Sequence, residues 1–180
     1  MTKQFNTGET QETLRQDYNP DGSVLRWAQM RMLDMAIYLQ ETAKKIGVPL
    51  RLDGGNVLGA LRHGGFIPWD DDIDMVVSQK DFKRLCDYLK AHPHPHYVLQ
   101  DNSTDRGFYK EWACLRDLRT ENRSHETSES ENRRIHEAQK YRGLHVDIFP
   151  YEGNMIPWLQ RFAAKLSVNV NLKMAGRYPR

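Results

Sequence analysis

Apolar positions recur along this chain with two different periods, and the switch between them lays out the elements. Leu25, Ala28, Met32, Ala36, Leu39, Ala43 and Ile46 follow one another at spacings of three and four, which places them on one stripe of an α-helix. Gly47 stands where that helix should end, with Pro49 just beyond; glycine accepts the left-handed closing turn and proline cannot extend a helix. A short extended piece from Pro49 to Leu52 leads into Gly54-Gly55-Asn56, and a second helix is predicted from Asn56 to His63, ended by Gly64-Gly65. The period then changes. Pro68 holds Ile67 in extended backbone, and Ile73, Met75 and Val77 alternate as one face of a strand does.

Ser78 followed by Asp81 is a capping box that opens a further helix, whose apolar face is Phe82, Leu85 and Leu89. The tract His92-Pro93-His94-Pro95-His96 breaks it; alternating prolines favour a plain helix-ending turn over a metal site. Tyr97 to Leu99 and Tyr109 to Leu115 read as strands joined by a polar turn, and Leu144 to Phe149 as another. Residues 119–143 are polar, a long loop or an exposed helix. A last helix starts near Pro157 with Leu159, Phe162, Ala163, Leu166 and Val170 on one stripe. Core packing explains that stripe, and a membrane surface is the competing reading. Residues 1–22 are polar and end in a turn signal, a loosely held lead-in to one domain over 23–180. Alternating helices and strands imply an α/β (α+β) domain with a small mixed sheet flanked by helices.

Composition narrows the class. A formal charge of +2 on 180 residues leaves no general nucleic-acid footprint. Two cysteines far apart argue against a disulfide framework or a paired-cysteine zinc site and suit a reducing, cytoplasmic setting. The N-terminus lacks the apolar core of a signal peptide, and no apolar run reaches the length of a membrane span. The expected protein is soluble, or at most peripheral at a membrane.

The chemistry is concentrated in Asp70-Asp71-Asp72-Ile73-Asp74. In a strand, residues i and i+2 share a face about 6.5 Å apart, so Asp72 and Asp74 project together while Ile73, Met75 and Val77 face apolar surroundings. Two carboxylates aimed at one spot raise each other's pKa unless a cation lies between them. An oxygen-only donor set of this kind suits Mg²⁺ or Mn²⁺. A solvated acidic turn would also produce a run of acids, but would not need the apolar alternation that continues through this one. Asp147, a lone charge in Val146-Asp147-Ile148-Phe149, would complete the metal site or take a proton from an attacking hydroxyl if its strand lies alongside; a sheet-edge or arginine-paired aspartate is the plainer reading. Gly54 and Gly55 let backbone approach a phosphate at a helix start. Arg62 and His63 could reach a donor phosphate or sugar, or simply cap their helix. Trp69 could stack on a base or a choline, or pack.

The stretch Asp53-Gly54-Gly55-Asn56-Val57-Leu58-Gly59-Ala60-Leu61-Arg62-His63-Gly64-Gly65-Phe66-Ile67-Pro68-Trp69-Asp70-Asp71-Asp72-Ile73-Asp74, with the later Val146-Asp147-Ile148-Phe149-Pro150, resembles the LicD family. The resemblance implies a nucleotidyltransferase-type fold and transfer of a phosphorylated alcohol, phosphocholine being the best-known case, from a CDP-linked donor to a cell-surface glycan or its lipid-linked precursor. Asp72 and Asp74 then match the family's metal-binding pair, Asp147 the third carboxylate, and Gly54 and Gly55 the glycine turn. Asn56 departs from the Ser or Thr common after the glycines; its amide could substitute at the donor phosphate. Family chains usually continue further past the third acidic motif, so a C-terminal truncation is expected. A nucleotidyltransferase acting on a small molecule or protein, or a non-catalytic binding domain, are the rival readings.

Overall fold

The computed structural model describes residues 10–121 and 138–151. The expected long helix forms α2 (Val24–Lys45), with Ser23 at its N-cap accepting a hydrogen bond from the Arg26 amide. Gly47 follows it with a positive φ of 67°, the closing conformation its sequence position called for. Next come β1 (Leu50–Leu52), α3 (Gly54–Arg62), β2 (Asp74–Ser78) and α4 (Gln79–Ala91). The Ser78 hydroxyl accepts from the Asp81 amide and donates to its carboxylate at 2.7 Å. Then β3 (Tyr97–Gln100), β4 (Ala113–Asp117) and β5 (His145–Tyr151) complete the sheet.

The five strands lie in the order β1-β2-β5-β4-β3, with β2 and β5 parallel and the other pairs antiparallel. The α/β class and the small mixed sheet are as the sequence implied. One face carries Leu50, Met75, Val77, Val146, Ile148, Leu115 and Leu99, all buried, and α2 and α4 pack on it with Met32, Met35, Leu39, Leu85 and Leu89. Each such side chain taken fully out of water contributes about 1.5–3 kcal/mol. The alternation predicted for Ile73, Met75 and Val77 therefore lies in the core, and the intervening residues turn to the opposite face.

Three boundaries differ from the sequence reading. The second helix begins at Gly54, two residues early, because Gly54 takes a positive φ of 52° and turns the chain straight out of β1. The strand expected over Tyr109–Leu115 pairs only from Ala113 and continues to Asp117, so Lys110 and Trp112 sit before the ladder. The polar lead-in contains a helix, α1 (Gln11–Tyr18), capped by Thr10. Besides the buried Leu14, what anchors it is polar: buried Asn19 accepts from the Ser23 hydroxyl and donates to Gln29, at 2.6 and 2.8 Å, and Gln29 donates to the Asp70 carbonyl at 2.8 Å. That relay fixes the loop carrying the acidic run. The last helix expected near Pro157 and most of the polar stretch 119–143 lie outside the described residues.

Candidate active site

The site lies on the sheet face opposite α2 and α4. In the parallel pairing of β2 with β5, Asp74 stands directly beside Asp147. Asp72 precedes β2 by two residues, and the field of its carboxylate reaches Asp74, as that of Asp147 reaches both. Partial burial first, then the charges of Asp72 and Asp147, push the Asp74 carboxyl up to about 6. Asp72 is raised by burial, then by Asp71 and Asp147, and Asp70 by burial, then by Asp72 and Asp71. These are like charges crowded at one spot.

Among the described residues, Asp70, Asp71 and Asp72 form the trio whose carboxylate oxygens lie within 4.8 Å of one another. Asp74 and Asp147 adjoin that trio without being drawn as close. Asp70 Oδ2 is buried and, among the described residues, has no hydrogen-bond partner. An orphaned carboxylate oxygen in a cluster of raised acids is a donor set fitted to a hard divalent cation.

The glycines abut this cluster. A Cβ on Gly55 would stand 3.3 Å from Asp70 Oδ2, and one on Gly54 would stand 3.7 Å from Asp74 Oδ2. Glycine here lets the start of α3 sit close against the acids. Asn56 is buried, and its side chain spans the acidic strand: Nδ2 donates to the Asp72 carbonyl at 3.0 Å, and Oδ1 accepts from the Asp74 amide at 2.6 Å. Both ends of the amide are thus committed to backbone. Nδ2 keeps a second hydrogen, so a contact from Asn56 to a donor phosphate, expected from its place after the glycines, need not break either bond.

His63 and Trp69 have contacts that run toward α1. His63 Nδ1 bonds the Gln11 side chain, and the Trp69 ring meets Tyr18 edge-on at 5.1 Å. Trp69 is still 54% exposed, and Arg62 lies exposed in the last turn of α3. The histidine tract packs elsewhere, His92 on Tyr88 and His94 on Tyr97. An apolar cavity of about 250 Å³ lies behind α3, lined by Leu33, Leu52, Phe66 and Ile73, and offers no reactive group.

Four residues at the site were not foreseen from sequence. Lys110 donates to both Asp147 oxygens, at 3.0 and 3.3 Å, so the acid is paired with a lysine, not the arginine the plainer reading supposed. His145 Nε2 is 3.6 Å from Asp147 Oδ1, while its Nδ1 accepts from Arg116 at 3.1 Å. Burial, then the Arg116 charge, lowers the His145 pKa to about 4 and favours the neutral ring beside Lys110 and Asp147. Trp112 and Phe149 meet at 4.8 Å beside them. The strand period around Asp147 does place His145 and Phe149 on its face; no sequence signal marks Lys110.

The model of the LicD/FKTN/FKRP nucleotidyltransferase domain matches residues 47–166, two thirds of the sequence. The chain belongs to the LicD family. The match spans β1 to β5 and every carboxylate named above. This LicD-family chain is 30% identical over 131 residues to the lipopolysaccharide cholinephosphotransferase LicD of Haemophilus influenzae, covering 72% of the chain and 44% of that protein. It is 32% identical over 120 residues to the ribitol 5-phosphate transferase FKRP of Mus musculus and of Homo sapiens, covering 63% of the chain and 20% of each. It thus spans less than half the length of these relatives. No helix among its described residues is long and apolar enough to cross a membrane.

Proposed function

We propose that this chain transfers a phosphorylated alcohol from a CDP-linked donor to a hydroxyl of a cell-surface glycan or a lipid-linked glycan precursor. The observation that carries the reading is the register of Asp74 beside Asp147, next to Asp72 and the glycine start of α3, inside the region that matches the family. The names of the relatives, one a cholinephosphotransferase and one a ribitol 5-phosphate transferase, support the class of reaction and leave the alcohol open. A lipid-linked acceptor would bring the enzyme to the cytoplasmic face of a membrane.

Asp72, Asp74 and Asp147, with Asp70 adjoining, would hold Mg²⁺ or Mn²⁺, which when bound supplies positive charge to the donor diphosphate. The start of α3, free of side chains at Gly54 and Gly55, admits the diphosphate close to the carboxylates. The acceptor oxygen forms a bond to the phosphorus bearing the alcohol, the bond from that phosphorus to the bridging oxygen breaks, and CMP leaves with the electron pair. The hydroxyl proton leaves to water as the new bond forms, and Lys110 holds Asp147 in place. Most of the barrier lowering is positioning and charge compensation, and no covalent enzyme intermediate is formed.

The experiment is CMP release from a panel of CDP-linked alcohols with Mg²⁺, comparing wild type with Asp74→Asn. Loss of at least a hundredfold in the variant is expected; equal rates rule the mechanism out. Titrating Mn²⁺ while following the thermal midpoint tests the metal without turnover, and the midpoint should rise in wild type and stay flat in Asp74→Asn.

A further inference from the structure

On the same sheet face as the acids, one strand step further along, runs a second row of side chains. Val76 is directly opposite Arg51 on one side and Phe149 on the other, and Trp112 meets Phe149 with ring centres 4.8 Å apart. Asp74 and Val76, and likewise Asp147 and Phe149, are two residues apart in their strands, so the rows are about 6.5 Å apart. Val76, Phe149 and Trp112 are each only half-buried, although they are apolar and lie over the middle of the sheet. Among the described residues Trp112 Nε1 is buried without a hydrogen-bond partner, and the indole meets the Phe149 ring and the Lys110 ammonium.

We propose that this row is the floor of a subsite for a planar heteroaromatic ring, the base of the nucleotide donor, with Trp112 the residue that sets its affinity. The inference rests on the diphosphate-donor reading above and adds the surface that recognises the rest of the donor. The separation of the rows matches a nucleoside diphosphate, whose sugar spaces the base from its phosphates by a comparable length. Lys110 decides between a neutral ring and a cationic group. Its Nζ lies 5.0 Å from the Trp112 ring centre while bonded to Asp147, at the junction of the two rows. An ammonium on the ligand would meet that charge, whereas a base stacked on Trp112 directs its phosphates toward it.

The test is calorimetric titration of the full chain, with Mn²⁺ present, using cytidine diphosphate, inorganic pyrophosphate and choline phosphate as separate probes. Stacking of one base on an aromatic ring predicts that Trp112→Leu weakens cytidine diphosphate by about ten- to one-hundredfold. Pyrophosphate should stay within about twofold, and Trp112→Phe should restore most of the loss. Phe149→Leu carries the same expectation from the neighbouring strand and serves if Trp112→Leu does not fold. Equal loss of both probes, no loss of either, or a loss seen in Trp69→Leu instead overturns the proposal. So does a Trp112→Leu defect confined to choline phosphate. Wild type that binds pyrophosphate but not cytidine diphosphate overturns this subsite alone; wild type that binds neither overturns the donor reading with it.

Discussion

Replacing Asn56 by alanine tests how the acidic strand is held. The change removes two hydrogen bonds at once, from Nδ2 to the Asp72 carbonyl and from the Asp74 amide to Oδ1. Each leaves a backbone group without its protein partner, at about 1–3 kcal/mol apiece, the lower end applying where water can enter. Alanine regains up to about 0.7 kcal/mol of helix propensity inside α3. The net expectation is a loss of about 2–3 kcal/mol, or about 5–10 °C in thermal midpoint for a chain of this size. Urea unfolding followed by circular dichroism, without metal, measures it. Asn56→Asp is the sharper control: it keeps an acceptor for the Asp74 amide but sets a carboxylate oxygen against the Asp72 carbonyl, among Asp53, Asp70 and Asp74. At pH 8 it should be at least as unstable as alanine. If both variants unfold within about 0.5 kcal/mol of wild type, Asn56 does not hold the strand and the reasoning is refuted.

Gly59→Ala should cost about 2 kcal/mol or more despite its better helix propensity, because the new methyl would stand 2.5 Å from the Gly65 carbonyl oxygen and 3.0 Å from the Ile67 amide nitrogen; Gly65→Ala, with nothing within 4 Å, should be near neutral, and thermal melts of the pair check both. Burial would raise the Asp117 carboxyl, but hydrogen bonds from Arg119 and Arg31 outweigh it and hold the pKa below the usual value of 3.8. A depressed carboxylate stabilises the fold above its unfolded pKa and loses that contribution as pH falls through the folded one. Asp117→Asn should therefore be less stable at pH 7 and lose less stability than wild type between pH 4 and pH 2, measured by urea titration at each pH. Cys86 and Cys114 are buried, and burial pushes both thiols up to about 12, so Ellman's reagent at pH 8 should titrate neither until the protein unfolds.

The elements that can be read from the sequence are those whose burial is one-sided. The stripe of α2 and the alternation through β2 exist because each presents a single face to the same core, and residue spacing records that directly. The helix α1 left too little record, since Leu14 is its one buried residue and the rest of its anchor is the polar relay through Asn19, Gln29 and the Asp70 carbonyl, which looks in sequence like any solvated segment. The late start of β4 was invisible for a related reason: Trp112 reads as a strand residue by composition, and only the pairing of β4 with β5 shows that it lies outside the ladder. Within the site, the carboxylates announced themselves through clustering and strand period. Lys110 could not, because its pairing with Asp147 joins residues 37 positions apart.

The acidic centre works against the fold that carries it. Five aspartates, three of them with raised carboxyl pKa, are brought together on the loop before β2, at the start of β2 and on β5, where their mutual repulsion favours separation. What opposes that repulsion is mostly neutral: the Asn56 amide on the strand backbone, Gln29 on the Asp70 carbonyl, and the parallel pairing of β2 with β5. Neutral restraints fix the positions of the carboxylates without discharging them, so the field at the site survives folding. A single lysine at the edge bonds Asp147 and offsets only part of the charge at Asp72, whose carboxyl stays raised, as that of Asp74 does. A surface arranged in this way should gain more from a ligand that brings positive charge than a solvated acidic turn could, and that difference is what the Mn²⁺ titration reads.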